Sequence, residues 1–93
     1  MYDDEWTWDP AKEARNKEKH RVSFALAVHV FDDPCHLTMA DPEPSEDRFR
    51  TLGVVGNTVL FVVHTWPLND EPGRIISARK ATPRERRIYH GQQ

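Results

Sequence analysis

Arginine and histidine side chains recur on three predicted strands of this chain, and their chemistry suits work on phosphate. Arg48 and Arg50 are two residues apart, His64 ends an apolar run, and Arg79 lies near the end of a later strand. Arginine can donate two parallel hydrogen bonds to a phosphate and stays charged, whereas histidine exchanges protons near neutral pH. These residue types could bind and cleave a phosphodiester, because that reaction needs a proton acceptor, a proton donor and cations over the phosphate, and no metal is obligatory.

The alternation of side chains along a strand groups the candidates near the end of the sequence. Successive residues of a strand face opposite sides of the sheet. On this rule Ser77 and Arg79 share one face of their strand. Arg74, Ala78 and Lys80 share the other face.

We therefore predict a cationic end of the sheet, where arginines meet a histidine that is exposed at the end of its strand. Arg48 and Arg50 share a face of their strand, so both can join this group. The predicted group is Arg48, Arg50, His64 and Arg79. Arg48, His64 and Arg79 are its predicted catalytic residues. Lys80 and a basic last helix would lie beside it.

Structural roles compete with each of these catalytic roles. Arg48 can simply pair with Glu46 or another acid on a solvated face. His64 can cap a strand by bonding to the backbone, which is as consistent with the sequence as catalysis. Arg79 can hold a carboxylate at a strand-to-helix junction, although the small residues before it leave room for a substrate. Glu85 is predicted to be a capping residue rather than a general base.

Six side chains are predicted to bind substrate: Lys19, His20, Arg50, Trp66, Arg74 and Lys80. Trp66 lies in a turn-rich loop and could stack on a base. Lys19 and His20 stand at the end of a predicted helix, where the helix dipole favours cations, so a structural role competes for His20.

No metal or cofactor is expected. Cys35 and His36 have no second pair of potential metal ligands in the sequence, and no phosphate-binding glycine motif occurs.

Composition indicates a globular chain with segregated charge. The 93 residues are 38% hydrophobic and 30% charged, which is enough for one modest core, and we expect one domain over residues 1–93. The net charge is −2, but acidic residues such as Asp3 and Asp4 crowd the start, whereas basic residues dominate from Arg74 onward. Clustered charge can bind phosphate locally.

Three features predict a cytoplasmic protein with no membrane association. These are the lone Cys35, the short apolar run at 58–63 and the acidic start of the chain.

Local patterns predict the order β-α-α-β-β-β-β-α and an α+β fold with a small antiparallel sheet. Asp9 caps a first helix that ends near Lys19 or His20, and Ser23 caps a second one. A capping box at Thr82–Glu85 starts a short last helix that ends near Gly91. The predicted strands are 5–8, 36–40, 47–55, 59–65 and 74–80, and the loop between the second and third is 41–45.

Taken together, these segments resemble the BrnT toxins of the RelE-like superfamily over nearly the whole chain. The residues that carry the resemblance are Trp8-Asp9-Pro10, Lys12, Asn16, Lys19-His20, Val22-Ser23-Phe24, Ala27, Val30 to Pro34, Glu46, Arg48, Leu52-Gly53, Val62 to Thr65, Arg74 to Ala81, Glu85-Arg86 and Tyr89. The chain departs from the family pattern at Arg21, which replaces a usual glycine, and at Trp66-Pro67, which replaces a basic residue.

The resemblance implies a sheet flanked by two N-terminal helices and one C-terminal helix. It also implies RNA cleavage that arrests translation and growth, and a BrnA-like antitoxin with a ribbon-helix-helix domain. Operator DNA would be contacted only through that antitoxin. The alternative is a non-catalytic or degenerate module that binds antitoxin or nucleic acid, because the same arginines serve binding and cleavage. Growth arrest on expression without the antitoxin would favour the active toxin.

Overall fold

The computed structural model describes residues 5–43 and 46–91, and the predicted order of elements is confirmed there. Asp3 and Asp4 of the acidic start, and positions 44 and 45 of the predicted loop, lie outside the described residues. The elements are β1 (Trp6–Thr7), α1 (Pro10–His20), α2 (Phe24–Ala27), a 3₁₀ helix (Val28–Asp32), β2 (Leu37–Ala40), β3 (Phe49–Val55), β4 (Thr58–His64), β5 (Gly73–Lys80) and α3 (Pro83–His90). No helix among the described residues is long and apolar enough to cross a membrane.

The five strands form one sheet in the order β1-β5-β4-β3-β2. Neighbours from β2 to β5 are antiparallel, but β1 pairs parallel with β5, with Trp6 opposite Gly73 and Thr7 opposite Arg74. The prediction of a purely antiparallel sheet is therefore wrong, and the sheet is mixed. Short turns predict the direction of consecutive strands, whereas β1 and β5 are separated by most of the chain.

Side-chain caps fix where the helices begin. Asp9 accepts a hydrogen bond from the Ala11 amide at 2.8 Å, and Thr82 and Glu85 form the predicted capping box of α3. The helix α1 ends at Arg21, whose φ of 62° lies in the left-handed region. Arg21 thus makes the turn that glycine would make at less conformational cost.

Apolar side chains pack on both faces of the sheet. The core beneath the N-terminal helices contains Trp6, Val22, Phe24, Ala27, Val28, Val30, Leu60, Val62, Ile75 and Ala78. The core beneath α3 contains Leu52, Val59, Phe61, Val63, Ala81 and Tyr89. At Gly53 an added Cβ would lie 2.9 Å from the Cβ of Val30, so glycine lets the 3₁₀ helix lie close against β3.

The outer edge of β5 is completed by a side chain of α1. Beyond the short pairing with β1, the buried Asn16 accepts a hydrogen bond from the Ala78 amide at 3.2 Å and donates one to the Ala78 carbonyl at 2.8 Å. Its amide nitrogen also donates to the Val22 carbonyl at 2.9 Å. The Asn16 side chain therefore makes the hydrogen bonds to Ala78 that a neighbouring strand would otherwise make. These bonds also fix α1 along β5.

A bulge in β5 changes which face each of its side chains occupies. Val63 pairs with Ser77, but the next residue, His64, pairs with Ile75, so one extra residue lies between them in β5. Arg74 consequently lies on the same face as Arg79. The predicted grouping of Arg74 with Ala78 and Lys80 is wrong, because simple alternation does not hold across a bulge.

Candidate functional site

His64 is fully buried at the end of β4, with both ring nitrogens bonded. Its Nδ1 donates to the Thr65 carbonyl at 2.6 Å, since a carbonyl can only accept. The Thr51 hydroxyl lies 2.7 Å from Nε2, and the Thr38 hydroxyl lies 2.8 Å from that of Thr51. Burial lowers the pKa of His64 to about 4, although the bond to Thr65 opposes this shift. The imidazole is therefore neutral near neutral pH.

Aromatic rings surround this imidazole. Phe31 and Trp6 contact it edge-on, with ring centres 5.0 and 5.4 Å away, and Phe49 stacks on it at 6.1 Å. Trp66 lies 5.4 Å away and is 47% exposed. The prediction that His64 is exposed among the arginines is wrong, because these rings remove it from solvent and it faces the N-terminal helices. The predicted alternative, a histidine bonded to the backbone, matches this geometry.

Arg79 lies on the opposite face and is tied to α3. Its two terminal nitrogens donate to the two carboxylate oxygens of Glu85 at 2.8 and 3.0 Å. Glu85 holds the pKa of Arg79 above its usual range, and Arg79 in turn lowers the pKa of Glu85. The guanidinium carbon also lies 4.1 Å from the ring centre of Phe61. These contacts match the structural role that the sequence leaves open for Arg79.

The other three arginines of this face are paired with one acidic segment, Asp41–Glu46. The carboxylates of Asp41, Glu43 and Glu46 contact Arg50 at 2.8 Å, Arg48 at 3.5 Å and Arg74 at 2.8 Å. Arg50 lowers the pKa of Asp41. The structure thus brings Arg48, Arg50, Arg74 and Arg79 to one face, as predicted for three of them, but it supplies each with a carboxylate.

Cations without such partners line a groove of about 350 Å³ between α1 and β5. The lining residues are Lys12, Arg15, Asn16, Lys19, His20, Ile76 and Ser77. Within residues 5–43 and 46–91, none of the four basic side chains makes an ion pair. The predicted ligands Lys19 and His20 are thus brought together with Ser77 of β5.

The sequence prediction missed Lys12 and Arg15 as members of this groove. The sequence did contain a pattern that predicts their place, because residues 12, 15, 16, 19 and 20 have the spacing of one helical face. The basic composition of α1 concealed that pattern. Lys17, by contrast, is on the same helix and does not line the groove.

Lys80 and Trp66 lie apart from this groove. Lys80 is exposed and lines a different pocket together with Arg86 and His90 of α3. Trp66 lines two neighbouring pockets at the end of the sheet, one of them with Arg74. The six predicted substrate ligands are therefore distributed over several surfaces rather than one.

A mixed sheet with helices on both faces and an unpaired cationic groove defines a small α+β protein suited to binding a polyanion. A family model described as "Ribonuclease toxin, BrnT, of type II toxin-antitoxin system" matches residues 8–85, and the chain belongs to this family. The fold is similar to the crystal structure of the Brucella abortus ribonuclease toxin BrnT, with 26% sequence identity and a TM-score of 0.63 over 84% of this chain and 97% of that one. No curated protein matches the chain.

Proposed function

We propose that this chain is a metal-independent endoribonuclease toxin whose RNA-binding site is the groove between α1 and β5. The observation that carries the proposal is the set of three groove cations, Lys12, Arg15 and Lys19, which lie beside His20 and, like it, have no carboxylate partner in the described residues. An RNA phosphate can contact them without displacing an acid. Membership of a ribonuclease toxin family supports RNA as the polyanion.

In this groove the cleavage chemistry needs only protein groups. The RNA 2′-hydroxyl gives up its proton and attacks the adjacent phosphorus, which forms a 2′,3′-cyclic phosphate. The bond to the 5′-oxygen breaks as that oxygen takes up a proton, and water exchanges the proton that no groove side chain carries. His20 is the partly exposed imidazole of the groove and is suited to moving one of the two protons involved. Lys12, Arg15 and Lys19 stabilise the extra negative charge on the phosphate oxygens.

The predicted catalytic arginines have a different place in this proposal. A phosphate that reaches Arg48 or Arg79 must compete with Glu43 or Glu85 for the guanidinium. We therefore propose that Arg48 and Arg79 contact the RNA phosphate only when their ion pairs with Glu43 and Glu85 break. His64 has no acid/base role in the proposal, because its ring is buried and both of its nitrogens are bonded.

The partner that we propose is a BrnA-like antitoxin, and operator DNA would be reached only through it. An antitoxin that covers the groove should present acidic side chains to Lys12, Arg15 and Lys19, because complementary charge favours and orients association. We also infer a single RelE-like toxin domain over residues 1–93. Its proposed substrate is cytoplasmic RNA.

The test compares RNA cleavage by four proteins in the presence of a chelator. Wild type and the control variant Lys17→Ala should cleave equally, since Lys17 shares α1 but not the groove. His20→Ala should lose cleavage by about 100-fold or more, the usual effect of removing a general acid or base. Lys12→Ala/Lys19→Ala should weaken both RNA binding and cleavage. Full activity in His20→Ala, with the chain folded, would exclude this site.

The non-catalytic alternative is favoured by one observation, the pairing of all four sheet arginines with carboxylates. A degenerate member of the family could keep the groove for binding and lack cleavage. Wild-type protein that binds RNA through Lys12 and Lys19 but cleaves it neither alone nor during translation would establish this alternative.

A further inference from the structure

A second pocket, of about 370 Å³, opens at the end of the sheet, and the cleavage chemistry proposed above does not use it. It is lined by Glu5, Trp6, Phe31, His36, Trp66 and Pro67. Pockets that bind small molecules usually have volumes of about 300–1,000 Å³, so this one is at the small end. Its size favours a single planar group.

The walls of this pocket are aromatic rings that are already fixed. Trp6 and Phe31 are stacked with ring centres 4.4 Å apart and an angle of 5° between their planes. Trp66 stands nearly perpendicular to both, with ring centres 6.3 and 6.0 Å away. Trp6 is buried, whereas Trp66 leaves 47% of its surface exposed. An exposed indole held by its neighbours is a preformed surface on which a nucleobase can stack.

Two side chains that line this pocket, Glu5 and His36, offer hydrogen-bond acceptors. The Nδ1 of His36 lies 2.7 Å from the Asp33 carbonyl, which can only accept, so Nδ1 carries the proton. In the neutral ring Nε2 is then an acceptor, and the Glu5 carboxylate is another. Guanine presents two adjacent donors, N1–H and the N2 amino group, on its Watson–Crick edge. Adenine, cytosine and uracil each place a single donor group beside an acceptor, so the two acceptors match guanine best.

The pocket is continuous with surfaces that suit an RNA backbone. Across the Trp66 ring lies a neighbouring pocket of about 420 Å³. Its lining includes Thr65, Asn69 and Arg74, and also Leu68 and the acidic Glu71. Arg74 and Ser77 are three residues apart on β5, a span of at most about 10 Å, and Ser77 lines the cationic groove. An RNA strand that crosses β5 between its pairing with β1 and its contact with Asn16 can therefore occupy the groove and place a nearby base at Trp66.

We propose that the pocket lined by Trp66 and Phe31 binds an unstacked guanine of the RNA and sets the base preference of cleavage. Trp66 stacks on the base, and Glu5 and His36 accept hydrogen bonds from its edge. The biological role of the pocket rests on the proposed ribonuclease function, but its ligand chemistry does not. Binding of a free nucleotide tests it without any cleavage.

The first experiment titrates the protein with guanosine 5′-monophosphate and adenosine 5′-monophosphate and follows the Trp66 indole N–H resonance, assigned by its absence in Trp66→Phe. Guanosine monophosphate should bind at least about fivefold more tightly than adenosine monophosphate. Trp66→Ala should weaken binding about 5- to 150-fold, the usual range for one stacked base. Glu5→Ala should remove the guanine preference, because it deletes one of the two acceptors. Leu26→Ala, an exposed apolar residue of α2 that lines neither pocket, should change nothing.

The second experiment maps cleavage sites on a mixed-sequence RNA. Wild type and Leu26→Ala should cut beside guanine, whereas Trp66→Ala and Glu5→Ala should cut with reduced base preference. Cleavage by Trp66→Ala with the wild-type pattern would overturn the pocket and leave the ribonuclease proposal intact. Guanine binding by a protein that never cleaves RNA would support the pocket and overturn the ribonuclease. If no nucleotide binds and Trp66→Ala weakens only antitoxin binding, the surface is a protein contact and the proposal is overturned.

Discussion

The guanidinium of Arg79 and the carboxylate of Glu85 are joined by two parallel hydrogen bonds, which connect the end of β5 to the first turn of α3. Glu85 also accepts a bond from the Thr82 amide at 2.9 Å, so the same carboxylate caps the helix and holds the arginine. The geometry of the strand-to-helix junction therefore depends on one residue pair. This junction covers Phe61, which lies beneath the guanidinium.

Removal of either member of this pair should lower the free energy of unfolding, and Glu85→Ala should lower it further than Arg79→Ala, because it also removes the bond from the Thr82 amide. We expect Arg79→Ala and Glu85→Ala each to lower the free energy of unfolding by about 1–3 kcal/mol, the range for a charge-assisted hydrogen bond. Urea unfolding of both variants and the double variant measures their coupling. If the role of Arg79 is only structural, cleavage falls equally in both variants at temperatures where both are folded. A much larger loss of cleavage in Arg79→Ala would place Arg79 at the substrate.

The edge of β5 gives a second prediction. Asn16→Ala leaves the amide and carbonyl of Ala78 and the carbonyl of Val22 without their side-chain partner. Each buried polar group left unpaired costs about 1–3 kcal/mol, so we expect a large loss of unfolding free energy in urea. Asn16→Asp should not restore it, because a carboxylate cannot donate to either carbonyl. Lys17→Ala, on the same helix but exposed, is the matched control. Equal stability of Asn16→Ala and this control would contradict the edge role.

Local chemistry made the helices predictable. Asp9 before a proline and Thr82 three residues before Glu85 are capping signals that act through bonds within one turn, and both are confirmed. The antiparallel pairing of β3 with β4 was predictable for a similar reason, because the short turn at Gly56-Asn57 joins them. The second helix continues as the 3₁₀ helix Val28–Asp32 instead of remaining an α-helix, which the apolar spacing does not specify.

The candidate site was harder to predict, because its geometry depends on contacts between distant segments. One extra residue at the bulge near Ile76 moves Arg74 to the opposite face, and strand alternation gives no warning of it. His64 is buried by Phe31 and Phe49, which come from other parts of the chain. Lys19 and His20 could be named from their position at a helix end, but the groove that they line is formed only when α1 packs on β5.

The acidic segment Asp41–Glu46 should restrain RNA binding. Glu46→Gln removes the carboxylate that holds Arg74 at 2.8 and 3.0 Å and frees a cation beside Trp66. We expect tighter binding of a cleavage-resistant 2′-O-methyl RNA at low salt, and a salt dependence steeper by up to about 0.7 in log–log slope, the value for one added single-strand phosphate contact. Fluorescence anisotropy over a range of NaCl concentrations measures both.

The control for this effect is Asp47→Asn, which changes the net charge equally. Asp47 makes no ion pair with any residue that the structure describes, so its loss frees no arginine. An equal gain in affinity from Asp47→Asn would mean that net charge, rather than the release of Arg74, causes the effect.

The buried imidazole of His64 predicts how stability depends on pH. In the unfolded chain this ring takes up a proton below its ordinary pKa of about 6.5, whereas burial lowers its pKa to about 4 in the folded protein. Between these values the unfolded state binds more protons, so acid favours unfolding. The contribution of His64 is therefore fully present above pH 6.5, declines as pH falls to about 4 and changes no further below that.

The measurement is urea unfolding at several pH values between 6.5 and 5, a window above the pKa values of Asp33, Asp41 and Glu85, which all lie below their usual range. Wild type should lose up to about 1.4 kcal/mol of unfolding free energy per pH unit through His64. His64→Gln should reduce this slope whatever its overall stability, because no ring remains to titrate. His90→Gln, which removes an exposed histidine, should retain the slope. A steep slope that survives in His64→Gln would show that another group takes up the proton.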